Sequence, residues 1–467
     1  MLFHSFAFFL FFSITFSVYW ILRAHEYRMA WLVVASIVFY AAWNAWFVLL
    51  IAFTAGVDYI FALRIEAAAT PLRRKWLLVA SLAISLSLLA VFKYANFLLG
   101  ASTGLLAIFG VRVVPPVLDV VLPLCISFYT FETISYVVDV YRGKFPAERN
   151  PLHYALYIMF FPHLISGPIV RPHQFLPQVR AKKHFDWPRL QLGVQLFLRG
   201  LLKKAVLADR LALVIDPIFQ GPAQFSSATL WLAAVGYAVQ VYCDFSGYTD
   251  MALGTAHALG FKLPQNFIQP YLSASISEFW RRWHITLSSW VRDYLYIPMG
   301  GSRGAKWKTY RNLIVTMAAL GFWHGAGWNY IVFGLYHGVL LSLERAFPLP
   351  AWANAGLPRI VRIAWTFFLL CLGVVIFRSQ SLASGWLMLR RMFHPLAGAT
   401  LPTAAFLTTL IIIGLIFAGH LIGRTRISRN LQSFVPAPAM GVGLAILFLL
   451  IQLLIPEDAR PFIYFQF

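Results

Sequence analysis

Residues 311–329 read Arg311-Asn312-Leu313-Ile314-Val315-Thr316-Met317-Ala318-Ala319-Leu320-Gly321-Phe322-Trp323-His324-Gly325-Ala326-Gly327-Trp328-Asn329, an apolar run broken at His324, Gly325 and Gly327. An apolar helix starting near Arg311 rises 1.5 Å per residue, so it travels about 20 Å before it meets His324. That depth lies inside a hydrocarbon layer about 30 Å thick. The apolar run resumes after the glycines, giving a candidate span over 312–345. Gly325 and Gly327 weaken the helix and permit close backbone approach. An ionisable side chain on a helix break at membrane depth is a candidate functional site. The alternative is a core histidine hydrogen-bonded across helices.

Similar apolar runs fill the rest of the chain. Of 467 residues, 60% are hydrophobic and 12% charged, with a mean hydropathy of +0.71. Soluble domains carry about 25% charged residues, so lipid is the solvent implied. Since roughly 20 helical residues cross a bilayer, candidate spans fall at 5–22, 29–43, 46–63, 76–95, 117–138, 190–215, 228–245, 312–345, 360–377, 403–423 and 437–455. The expectation is an all-α polytopic membrane protein of about 11 transmembrane helices, forming one domain over 1–467. The first run lacks a basic leader and a small-residue cleavage site, so it reads as a retained span.

The net charge of +21 does not point to nucleic acid, because Lys and Arg sit in short loops between apolar runs. Arg23 and Arg28, then Arg64, Arg73, Arg74 and Lys75, then Arg142, Lys144 and Arg149 fall on one side if the spans alternate. That side is expected to be cytoplasmic, and its basic surface would attract anionic lipids or an anionic acyl donor. Two stretches break the alternation. Residues 151–189 carry a short apolar run followed by Ser166-Gly167-Pro168, which suggests a re-entrant element. Residues 262–311, dense in Trp, Tyr and Arg, suggest interfacial amphipathic helices.

Three further constellations carry polar chemistry. In Glu278-Phe279-Trp280-Arg281-Arg282-Trp283-His284-Ile285-Thr286-Leu287-Ser288-Ser289-Trp290, a continuous helix would align Trp280, Trp283, Leu287, Trp290 and Tyr294. His284 then flanks that stripe, facing packed protein. In Gln240-Val241-Tyr242-Cys243-Asp244-Phe245-Ser246-Gly247-Tyr248-Thr249-Asp250, the two aspartates must be paired or water-lined. Asn266 follows downstream, and a structural polar network is the favoured use. Leu122-Pro123-Leu124-Cys125-Ile126-Ser127-Phe128-Tyr129-Thr130-Phe131-Glu132 offers hydroxyls for helix-to-helix bonds. Cys125, Cys243 and Cys371 read as buried small hydrophobes. No His or Cys pair has zinc-ligand spacing, and no phosphate loop, serine elbow or dinucleotide fingerprint is present.

Together these stretches resemble the polysaccharide branch of the membrane-bound O-acyltransferases, which includes proteins of alginate O-acetylation and of teichoic acid D-alanyl transfer. The likeness is strongest over 127–143, Ser166-Gly167-Pro168-Ile169-Val170-Arg171, 244–303 and Trp323-His324-Gly325-Ala326-Gly327-Trp328, and continues to Tyr336-His337-Gly338. By resemblance, His324 matches the family's essential histidine and His284 its second. Trp280, Arg282, Asp244, Asn266 and Trp323 are the candidate substrate-binding residues, with no metal and no bound cofactor. The family implies a bacterial inner-membrane enzyme that takes an acyl group from a cytoplasmic thioester, acetyl-CoA being the expected donor. The implied acceptor is a polysaccharide hydroxyl, reached directly or through a periplasmic acetyltransferase partner. A transporter of activated acyl groups is the competing class, and peptidoglycan is a competing acceptor. Two positions depart from the family pattern, where Gly is commoner at 125 and Gln at 132.

Overall fold

Ser5 opens the first helix by accepting a hydrogen bond from the amide of Phe8. Thr70 does the same for Arg73, one residue before Pro71 starts a helix. These are the residue types that satisfy orphan amides at a helix start. The computed structural model describes residues 1–165, 167–395, 397–423, 436–456 and 462. Apart from an isolated bridge between Phe225 and Ala399, the described residues form no strand, and the fold is all-helical as expected.

The chain divides into two units, one of residues 1–196 and 252–264, the other of 197–251 and 265–467. The first unit contains α1 (Phe6–Ile21), α2 (His25–Ala41), α3 (Trp46–Ala67), α4 (Pro71–Leu89), α5 (Ala95–Ile108), α6 (Ile126–Tyr141), α7 (Pro151–Met159), α8 (Phe161–Leu164) and α9 (Pro172–Arg180). Within it α6 packs on α3 and α4, and α7 packs on α2 and α9. A π-helical turn over Ala90–Tyr94 joins α4 to α5. The candidate span at 117–138 is corrected here, because its helix starts only at Ile126. The residue before it, Cys125, has φ +68°, a left-handed backbone that glycine adopts freely. The glycine that the resemblance implies at this position would suit that backbone. Glu132, the other departure, is buried. It accepts the Val170 amide at 3.0 Å and lies 3.3 Å from His163 Nδ1.

The stretch 151–189 forms α7, α8 and α9, short helices separated by turns. Ser166, part of the expected re-entrant turn, lies outside the described residues. α10 (Trp187–Leu201) leads through a π-helical turn, Leu202–Ala208, into α11 (Asp209–Gln220), and α12 spans Ser227–Ala258. The second unit goes on through α13 (Ile276–Arg282), α14 (Ile285–Val291), α15 (Lys306–His324), α16 (Trp328–Ala346), α17 (Gly356–Arg378), α18 (Leu382–Phe393), α19 (Thr403–Ile422) and α20 (Ala437–Leu454). Four helical stretches are long and apolar enough to cross a membrane, Trp46–Ala67, Pro71–Ile108, Gly356–Arg378 and Thr403–Ile422. Two shorter apolar helices are Phe6–Ile21 and Pro438–Leu454. The three cysteines are free and buried, as their apolar settings predict.

Buried charges in the second unit are paired. Lys204 Nζ lies 2.6 Å from Asp244 and 2.8 Å from Asp209. Asp250 receives Lys203 at 2.6 Å and Arg199 at 2.9 Å. The expectation that Asp244 and Asp250 belong to a polar network holds.

Candidate active site

Helices α15 and α16 pack so closely that a Cβ on Gly334 would collide with the carbonyl oxygen of Met317. His324 is the last residue of α15. Gly325 and Gly327 then run extended, at φ −163° and −162°, before α16 begins. Such φ values suit any residue, so the glycines serve space rather than conformation. A Cβ on Gly325 would strike the Tyr330 ring. Asn329 ties the break down, donating to the carbonyls of Phe377 at 3.3 Å and Ser379 at 3.1 Å.

His324 is 5% exposed. It borders a narrow cavity of about 50 Å³ whose wall includes Trp280, Trp283, Phe333, His337 and Phe377. The His324 ring meets Trp323 at 5.1 Å and Phe377 at 5.3 Å, both edge-on. Trp280 Nε1 donates to His337 Nδ1 at 3.4 Å, which fixes Nδ1 as the unprotonated nitrogen of that ring. The cavity thus combines an aromatic wall with two imidazoles.

The helix expected over 278–290 is corrected. It is two helices, because His284 has φ +42° and ψ +55° and turns the chain between α13 and α14. A left-handed non-glycine residue costs about 1 kcal/mol or more, and such outliers gather at functional sites. Asn266 holds this turn. Its backbone oxygen accepts Ile285 N at 3.0 Å. Its side-chain oxygen accepts Thr286 N at 3.3 Å and Thr286 Oγ1 at 2.6 Å. The turn does not disturb burial of the tryptophan stripe, as Trp280, Trp283, Leu287 and Trp290 all stay buried. His284 is fully buried. Its ring lies 4.7 Å from Phe245, edge-on, and 6.3 Å from Trp323. Burial pushes the His284 imidazole well below its ordinary pKa, and charge on His324 adds to the depression.

The sequence-predicted residues therefore divide. His324, His284, Trp323, Trp280 and Asn266 come together in one unit. Asp244 lies at one remove, paired with Lys204 and adjacent in sequence to Phe245. Arg282 is engaged otherwise, since its guanidinium lies 2.7 Å from Glu278. Glu278 in turn accepts the backbone amide of Ala274, just before α13, and forms a second ion pair with Arg359. Two residues were given no role from the sequence, His337, quoted only within Tyr336-His337-Gly338, and Lys204. His337 had a signal in the fourfold spacing Asn329, Phe333, His337, which puts all three on one face of α16. Lys204 had one in being a charge inside the candidate span 190–215.

The family model for MBOAT, the membrane-bound O-acyltransferase family, matches residues 146–386, which include both histidines of the site. The chain belongs to the membrane-bound O-acyltransferase family. It is 43% identical over 393 residues to a probable alginate O-acetylase of Pseudomonas aeruginosa, covering 82% of this chain and 73% of the relative. A probable alginate O-acetylase of Azotobacter vinelandii is 38% identical over 98% of both chains. The peptidoglycan O-acetyltransferase of Helicobacter pylori is 37% identical over 82% of this chain and 78% of its own. This membrane-bound O-acyltransferase is accordingly a membrane enzyme that transfers acyl groups, and the expected acyltransferase class holds over the transporter class.

Proposed function

We propose that this acyltransferase moves an acetyl group from a cytoplasmic thioester, acetyl-CoA or a similar donor, toward hydroxyls of an extracytoplasmic polysaccharide. It works in the bacterial inner membrane as a single catalytic domain of about eleven spans. His324 is the general base. A hydroxyl attacking a thioester carbonyl must lose its proton, and a neutral imidazole accepts it near physiological pH. The new ester bond forms at the hydroxyl oxygen as the carbon–sulfur bond breaks, and the thiol leaves with a proton. His284 orients substrate or stabilises developing charge. Trp280 and Trp323 shape the acyl site, Asn266 positions the His284 turn, and Asp244 supports Phe245 behind it. Arg282 is a weaker candidate for donor phosphates than the exposed Arg281, since it is held by Glu278.

The observation that carries this reading is His324 at a helix break, bordering a small aromatic cavity with His284 close enough to feel its charge. The alginate-type relatives carry acetylation in their names. The acceptor is an alginate-like or other exopolysaccharide, reached directly or through a periplasmic partner transferase. The Helicobacter pylori relative makes peptidoglycan the second reading for the acceptor. Surface-glycan O-acetylation in cells carrying His324→Ala at normal protein abundance tests the assignment. The loss expected is about 10²- to 10⁴-fold in rate, and undiminished acetylation overturns it. Thioester cleavage by the purified protein, measured alongside, separates catalysis from transport.

A further inference from the structure

In the first unit, side chains from distant parts of the sequence meet at the starts of two helices. His25 and Glu26 lie in the first turn of α2, and His153 in the first turn of α7. One ligand atom from each, two imidazole nitrogens and a carboxylate oxygen, all lie within 4.8 Å of one another. His25 Nε2 sits 2.8 Å from the carbonyl oxygen of Val179. A carbonyl can only accept, so Nε2 carries the hydrogen and Nδ1 of the neutral ring presents its lone pair. That Nδ1 is buried with no hydrogen-bond partner. His153 is 8% exposed, and its Nε2 is likewise buried without a hydrogen-bond partner. It points toward Glu26 Oε2, 3.8 Å away.

We propose that His25, Glu26 and His153 hold a divalent metal ion of the zinc class, with solvent completing the coordination. Two imidazoles and a carboxylate suit zinc, cobalt or nickel, whereas magnesium and calcium take oxygen ligands. The Val179 carbonyl on the far nitrogen of His25 is the outer contact that orients a metal-binding imidazole. An ion pair between His153 and Glu26 alone does not account for the buried lone pair of His25. At zinc bond lengths of about 2.1 Å, neighbouring ligand atoms stand roughly 3.4 Å apart, so the cluster must contract by about 1.4 Å. The Glu26 side chain is 61% exposed and can swing toward the two imidazoles, whose own approach takes up the rest. The positive ends of α2 and α7 oppose a cation, and Arg180, next to Val179, is neutralised by Glu148 at 2.6 Å. The ion is therefore exchangeable, and it clamps the start of α2 to the start of α7.

The test uses the full-length protein in detergent, purified without a polyhistidine tag and stripped with chelator. Titration with cobalt, read by its visible absorption, should show one saturable site per chain that zinc displaces and magnesium does not. The melting temperature should rise with the metal. His153→Ala and Glu26→Gln should each weaken binding by about 100-fold or more, as loss of a direct ligand exceeds the effect of an outer contact. Glu26→Gln alters an exposed side chain, so it decides the matter even where His153→Ala fails to fold. Absence of saturable cobalt binding, or binding unchanged in Glu26→Gln, overturns the site.

Discussion

Asn266→Ala isolates the support of the His284 turn without touching either histidine. Asn266 is 1% exposed, and its side-chain oxygen accepts two hydrogen bonds from Thr286, at 3.3 Å and 2.6 Å. Each bond contributes about 1 kcal/mol net, so the substitution should cost roughly 2 kcal/mol. That exceeds the approximately 1 kcal/mol by which His284 resists its left-handed backbone. The turn should then relax, carrying the imidazole away from Trp323. A displacement near 1 Å in a catalytic constellation can lower turnover by about 10²-fold. Melting in detergent and thioester-dependent acetyl transfer measure the two effects separately. A cycle with Thr286→Val sharpens the test, because the hydroxyl bond exists only while both residues are present. The pair should deviate from additivity by about 1 kcal/mol. Wild-type melting and turnover in Asn266→Ala, or strict additivity in the cycle, would refute the role given to Asn266.

Burial keeps His284 neutral in the folded protein, whereas an unfolded histidine titrates near pH 6.5. Below that pH the unfolded chain binds the extra proton, so stability should fall by up to about 1.4 kcal/mol per pH unit through His284. His284→Gln should flatten the acid limb of a melting-versus-pH curve, and an unchanged slope would count against it. Gly325→Ala drives a methyl into the Tyr330 ring and should cost about 1–3 kcal/mol, with turnover falling alongside; normal melting would exclude that collision. Leu370→Ala enlarges the cavity at His324, so the ratio of propionyl to acetyl transfer should rise about tenfold. An unaltered ratio would remove this cavity as the acyl site.

The break at His324 was legible because Gly325 and Gly327 interrupt an apolar run and leave a local signal. The break at His284 was not. The tryptophans at 280, 283 and 290 keep helical spacing across it, and neither glycine nor proline marks the turn. What fixes the turn is Asn266, eighteen positions upstream, through bonds that spacing cannot reveal. Spacing also hid where the helix of the fifth candidate span begins, just after Cys125, which takes a conformation usually left to glycine. It also hid His25, Glu26 and His153, which no local motif links. By contrast, the pairing of Asp244 and Asp250 followed from physics alone, since a carboxylate in an apolar stretch needs a partner. Only the partners' identities, Lys204, Lys203 and Arg199, required the fold.

The two histidines have unlike surroundings, and under the proposed mechanism that difference assigns their tasks. A general base must reach the hydroxyl it deprotonates and must exchange its proton afterwards. His324 meets the first need, because it borders the cavity and sits where the chain leaves a helix. His284 does not line that cavity, is wholly buried, and is held neutral by its surroundings. A neutral buried imidazole is a poor store for a proton, but its fixed dipole can favour charge developing beside it. Trp323, 5.1 Å from one ring and 6.3 Å from the other, keeps the two at a set separation. Because charge on His324 already depresses the pKa of His284, the pair resists double protonation. Proton transfer should then pass through His324 alone. Replacing His284 should therefore slow turnover less than replacing His324.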